Sequence, residues 1–395
     1  MPSLALPLPL LGESHEVSVF RREPYRVLFP AGALFAVVGT LPWVLFAAGV
    51  ITGYPRVFHA LVQVQSFLAC FIGGFLFTFV PRRTGGAPPS RVELTLAVLF
   101  PALLALAAGF GKVSLAELAW LAWLVMVARF VWKRLVDAPM GPVPAPSMVW
   151  VPMSLGIGLF GTLVAAVAAI RGKMAIHDVG QWLALQALVA GMVMGVGGLL
   201  LPVLTRRSAA GAQRLPRAAH VLGALIFWAS YPLELFSVRA AFGIRAAVAA
   251  VVLVYGAGLW KLPEQRGLHV WLAWLGAWAL PVGHLSVAIF PGHRVAGLHL
   301  VFLGSFAALV FAVGAHVTWS HGNRPELMRV PVQKSPLFPC AVALAVAVAA
   351  RAGLDATGEH YLRALGLAGV AFVAAVACWL WAVLPVMWSK PRVRE

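Results

Sequence analysis

Acidic side chains are scarce in this chain, where 13 Asp and Glu stand against 30 Lys and Arg in 395 residues. Within the apolar runs only Glu234 is clearly embedded, with Glu93 and Glu117 near the starts of two others. Proton-coupled transport uses a line of buried carboxylates, which this sequence does not offer. Glu234 is read instead as a partner for Arg239 or a nearby hydroxyl. Cysteine is rarer still. Cys70, Cys340 and Cys378 all fall inside apolar segments with no CxxC or CxxCH, which argues against disulfides, c-type haem attachment and thiolate zinc sites. Long polar stretches are missing too: the longest connections, about residues 136 to 146 and 320 to 335, leave no room for a soluble domain. Residues 1 to 12 are apolar but lack the basic start and small-residue cleavage site of a secretory signal.

What is present is apolar. A chain that is 61% hydrophobic and 11% charged, with mean hydropathy +0.89, cannot hide that surface in a soluble core. It reads as an all-α polytopic membrane protein. Segments of about 20 apolar residues place helices near 26 to 51, 58 to 80, 92 to 111, 115 to 135, 147 to 170, 180 to 204, 217 to 237, 239 to 260, 268 to 290, 295 to 319, 336 to 353 and 359 to 388. The seventh and eighth divide near Ser237. This predicts twelve transmembrane helices in one integral domain, with an N-terminal segment 1 to 25, a bundle 26 to 388 and a tail 389 to 395. The formal charge of +17 would suggest nucleic acid in a soluble protein, but the basic residues sit in short loops, where they orient the chain. Of the 30 Lys and Arg, 21 fall on the side that carries both termini, which puts the termini in the cytoplasm and predicts no nucleic-acid partner.

One stretch recurs. Residues 59 to 86, HALVQVQSFLACFIGGFLFTFVPRRTGG, open with a histidine and close on a basic turn. Shifting by 124 lays Gly73, Gly74, Leu76, Arg82 and Arg83 on Gly197, Gly198, Leu200, Arg206 and Arg207; shifting by 240 lays His59, Phe71, Gly74 and Thr78 on His299, Phe311, Gly314 and Thr318. The echoes predict a three-fold internal repeat of four helices each.

Histidines carry the chemical signal. His59 and His299 open the second and tenth helices on one side of the membrane, where His284 ends the ninth and His293 follows. On the other side His220 and His269 open the seventh and ninth helices, and His316 and His321 close the tenth. An imidazole supplies a nitrogen to haem iron or copper without adding charge, and haem between facing helices needs one histidine from each at matched depth. His59 and His299 meet that condition through the repeat. His284 competes as a partner for His59, and His220, His269, His316 and His321 are candidates for a second haem or a copper. His15, His177 and His360 lie in tails or loops and are read as solvated. The Gly73-Gly74 pair and Gly195, Gly197 and Gly198 bare a helical face for close packing or for a flat macrocycle. Arg82, Arg83, Arg206 and Arg207 are read as topology signals rather than partners of haem propionates.

With these elements in place the chain resembles the NnrS family of polytopic bacterial membrane proteins, which are associated with haem, copper and the response to nitric oxide. The resemblance rests on EPYRVLFPAGALFAVVGTLPW at 23 to 43, on FHA at 58 to 60 with GFLFTFVPRRTG at 74 to 85, on LHVWLAWLG at 268 to 276, and on GLHLVFLGSF at 297 to 306 with SHGNR at 320 to 324. It singles out His59, His269, His299 and His321. The family's His-Ala-His-Glu has Leu61 and Val62 in place of its second histidine and glutamate, and its closing Gly-His-Thr-Gly reads Ser320, His321, Gly322, Asn323. The architecture is also similar to the catalytic subunit of haem-copper oxidases and nitric oxide reductases, whose second and tenth helices clasp a low-spin haem. No copper triad is visible here at the corresponding sixth and seventh helices.

The resemblance implies one or two haem b groups, copper as a further cofactor, nitric oxide as substrate or ligand, membrane quinol as electron donor, and the bacterial inner membrane as location. It leaves open whether the protein is a nitric oxide reductase-type oxidoreductase or a binder, since both need the same ligands. A transporter of haem, copper or a small anion, with repeats rocking about a central site, is the alternative class. An assembly subunit of a respiratory complex is the third.

Overall fold

The computed structural model describes residues 18–137, 145–206, 214–353 and 358–389. Expectations for His15, Arg207, Lys390, Arg392 and Arg394, for residues 1–17 of the N-terminal segment and for the tail beyond Ser389 lie outside the described residues. Every regular element among the described residues is helical, as an apolar chain requires when lipid offers its backbone no hydrogen bonds.

Among the described residues ten helices are long and apolar enough to cross a membrane. They are α1 (Tyr25–Ala47), α2 (Arg56–Thr84), α3 (Arg91–Gly109), α4 (Val113–Val136), α5 (Pro146–Ile170), α6 (Met174–Arg206), α8 (Val238–Gly256), α9 (Leu268–Ile289), α10 (Pro291–His321) and α12 (Tyr361–Met387). The shorter α7 (Arg217–Leu233) and α11 (Phe338–Ala352) take the places of the seventh and eleventh expected helices. The protein is thus an all-α, multi-pass membrane protein. Ser237 does separate α7 from α8, because its side chain accepts from the Ala240 backbone amide and starts the next helix.

The longest helices, α2, α6 and α10, are also the most buried of the ten and stand second in each successive set of four. Each changes pitch part-way along: residues Val62–Leu68 of α2, Leu183–Ala187 of α6 and Leu300–Ala307 of α10 are π-helical, as is Ala250–Gly256 in α8. A π turn holds one extra residue and is frequent at functional sites. Between α2, α6 and α10 lies a cavity of about 110 Å³, lined by apolar residues such as Phe71, Phe75, Val193, Leu200, Phe306 and Val310.

Small residues set the close helix contacts. A Cβ on Gly74 would come within 2.8 Å of the Phe29 ring on α1, and one on Gly198 within 2.7 Å of Ser147 on α5. The bared glycine faces therefore serve helix packing. Two of the closest crossings are α5 on α6, where a Cβ on Gly180 would stand 2.5 Å from the Ala165 nitrogen, and α1 on α2 at Gly39.

Buried arginines fasten the end of the bundle that holds His321. Arg26 on α1 donates to the Met387 and Ser389 carbonyls at the end of α12, and its Nε lies 2.5 Å from Glu23. It supplies donors to the C-terminal carbonyls that α12 cannot satisfy internally and joins the first long helix to the last. Arg134 reaches the Ala87 carbonyl at 2.8 Å and Glu93 at 3.3 Å. Glu93 also forms a reciprocal capping box with Ser90 at the start of α3, which accounts for that carboxylate structurally. Arg206 donates to the Ala257 and Gly258 carbonyls just after α8.

Candidate functional site

The site at the His59 end starts from a glycine. Gly39 lets α1 approach α2 so closely that a Cβ there would meet Gln63 at 2.7 Å. Gln63 locks that approach by donating to the Ala36 carbonyl and the Thr40 hydroxyl, both at 2.8 Å. The Gly39 carbonyl then stands 2.9 Å from Nδ1 of His59, and Trp43 packs edge-on to the imidazole. A carbonyl oxygen only accepts, so Nδ1 carries the proton and the neutral ring keeps its lone pair on Nε2.

His299 is prepared in the same way. It sits at the junction of α-helical and π-helical turns in α10, and its Nδ1 donates to the Val295 carbonyl one turn earlier at 2.8 Å. Nε2 is again the available nitrogen. The two imidazoles, on α2 and α10, share one end of the bundle with the Arg351 guanidinium. Each is half-buried.

His284 does not join them. Its ring is buried between Phe227 and Phe242, at 5.9 Å from each, beside Arg245 rather than Arg351. His177 lies 3.6 Å from Asp178 at the start of α6, and His360 is exposed.

At the opposite end His269 and His316 stack with ring centroids 5.4 Å apart, and both Nδ1 atoms are buried without a partner. Gly267, with φ at +134°, allows His269 to fold back: a Cβ there would meet the Met328 carbonyl at 2.4 Å and the His269 ring at 3.0 Å. His321 interacts electrostatically with His316 and stacks on Tyr25 at 5.5 Å. Imidazole lone pairs lie in the ring plane, so stacked rings do not aim them at a common point. Among the described residues no three His, Cys, Asp or Glu side chains converge as a metal site. His220 stands apart, its Nδ1 accepting from the Trp150 indole at 3.2 Å, which places its proton on Nε2.

Two polar clusters away from the histidine pair have partners that the sequence did not show. Glu117 on α4 accepts from Gln181 at 3.0 Å and Gln65 at 3.4 Å, both amides on or next to the π-helical turns of α6 and α2. Glu234 pairs not with Arg239, which is exposed, but with Arg245 at 2.7 Å and with Arg294. The sequence signal available for these was a glutamate and an arginine inside apolar runs; their facing was not readable.

A multi-pass helical bundle of ten helices long and apolar enough to span a membrane, among the described residues, defines the class: an integral membrane protein. The family model described as NnrS protein matches residues 19–392, nearly the whole chain. The chain belongs to the NnrS family and is a membrane protein of the nitric oxide response. A comparison with curated proteins gave no match.

Proposed function

We propose that this protein holds haem b at the His59 end of the bundle, with His59 and His299 as its ligands, and uses it to bind nitric oxide in the bacterial inner membrane. One observation carries the reading. Two imidazoles from separate helices stand at one end of the bundle, each with Nδ1–H held by a backbone carbonyl and Nε2 left to donate, which is the tautomer that iron ligation needs. Haem iron would supply the centre that coordinates nitric oxide. The protein's own share is orientation and access. His59 is held by a carbonyl of the neighbouring α1, whereas His299 is held only by its own helix, so His299 has the freer ring. Arg351 gives positive charge beside both, suited to a propionate. The apolar cavity between α2, α6 and α10 lies beyond the π-helical turns from both histidines and is not lined by either. The stacked His269–His316 pair is the place for a second haem or a copper only if the rings turn.

The test is an absorption spectrum of the detergent-purified protein, oxidised, reduced and then exposed to nitric oxide, with haem quantified as its pyridine complex. Stoichiometric haem b in the wild type, lost from both His59→Ala and His299→Ala, is the expected result. A colourless protein from haem-replete cells sinks the proposal. Nitric oxide consumption with a quinol added separates a reductase from a binder.

A further inference from the structure

A second site lies at the same end of the bundle, built from α6, α7, α8 and α10. Glu234 follows α7 directly, with its side chain 2% exposed, and stands between two guanidinium groups. Arg245 on α8 is fully buried and 2.7 Å from the carboxylate; Arg294 on α10 is 27% exposed and meets the other carboxylate oxygen. Arg245 spends Nε and Nη2 on the Ser230 hydroxyl and carbonyl, at 3.0 and 3.2 Å. Its plane lies over Tyr231, with the guanidinium carbon 3.7 Å from the ring centroid. Arg294 stacks over Trp182 at 5.0 Å.

The charges do not balance. Two arginines face one carboxylate, and apart from Glu234 Oε2 and Arg294 Nη2, which are engaged in the ion pairs, three donors in the cluster are buried with no acceptor: Arg245 Nη1, Arg294 Nε and the Tyr231 hydroxyl. Buried guanidinium donors without acceptors are costly, and a site short of one negative charge invites an anion to supply it. Planar guanidinium groups match the oxygens of small oxyanions, and the partial exposure of Arg294 gives an entrance. We propose that this cluster is a binding site for a small monovalent oxyanion, held by Arg245, Arg294 and Tyr231.

The site is independent of the histidine pair. Arg294 and His299 are five residues apart on one helix, about 140° around its axis, and they meet different neighbours: Trp182 and Phe242 for the first, Phe302 and Arg351 for the second. Haem content and anion binding are therefore separable.

Calorimetric titration of the detergent-purified full chain with nitrite, nitrate or bicarbonate, at ionic strength balanced with gluconate, tests the proposal. One anion per chain is expected in the wild type and in His59→Ala. Arg294→Gln weakens binding about tenfold or more, the loss of one charge-assisted contact. Tyr231→Phe weakens it less, and Glu234→Gln tightens it by removing the competing carboxylate. Because Arg294 is partly exposed, its variant folds even if a change at Arg245 does not. No binding to the wild type at millimolar anion, or equal binding to Arg294→Gln, overturns the site.

Discussion

Replacing Glu234 by glutamine would leave two guanidinium groups facing each other without their shared counter-ion. The size of the effect follows from their exposure. Arg294, 27% exposed, can turn toward water and contributes little, as surface pairs do. Arg245 cannot, because its side chain is 0% exposed and boxed by Tyr231 and Phe242. Removing one partner of a buried pair costs roughly 3–5 kcal/mol. Arg245 keeps its two contacts to Ser230, so the lower end of that range, about 3 kcal/mol, is expected. Much of this is the penalty of an uncompensated charge, so Glu234→Gln combined with Arg245→Met should recover most of it. Unfolding by dodecyl sulfate titrated into mixed micelles, followed by tryptophan fluorescence in anion-free buffer, reads both numbers. A Glu234→Gln protein within about 1 kcal/mol of wild type, or a double variant no better than the single, refutes the argument.

Arg26→Ala should lower stability by about 2–3 kcal/mol, since buried charge-assisted bonds to the Met387 and Ser389 carbonyls are lost, and the same titration checks it. Gly180→Val should prevent α5 from seating on α6; little folded protein should survive gel filtration, because the obstructing atoms at 2.5–2.9 Å belong to backbone. Gly267→Ala puts a Cβ against the Met328 carbonyl and the His269 ring in a strained backbone conformation, and should cost about 1–3 kcal/mol in the same unfolding assay. Trp150→Phe leaves His220 Nδ1 without its donor at a buried position, and a loss of about 1–3 kcal/mol is expected in the same unfolding assay.

The helix positions were legible because a membrane demands long apolar runs, and twelve segments appear where twelve were expected, ten of them of spanning length. The shortness of α7 was not, because the apolar Leu235 and Phe236 continue into the turn beyond it, whereas α11 lies within two residues of its expected bounds. The sequence offered His59 and His299 as candidates at one end of the bundle, but not the carbonyls of Gly39 and Val295 that set their tautomers, because those depend on how the helices pack and coil. The separation of His284 was not legible, since it depends on which way α9 is turned and an all-apolar helix has no polar face to show it. The same ignorance of rotation hid the partners of Glu234. Arg245 and Arg294 counted only among the nine basic residues on the side opposite the termini, yet both face one carboxylate.

The π-helical turns of α2 and α10 set the phase of these rods. Each holds one residue more than an α turn and so re-indexes everything after it by about 100°. In α2 the turn lies between His59 and the residues Phe71 and Phe75 that wall the cavity; in α10 it lies between His299 and Val310. The two halves of each rod can therefore be aimed separately, the first half at its partner histidine and the second at the central space. Deleting a single residue from Val62–Leu68 would let the rod relax to uniform pitch, keeping every apolar side chain apolar while swinging one half out of alignment with the other. Composition would be conserved and aim would be lost, so in this protein an inserted residue works as a gear tooth.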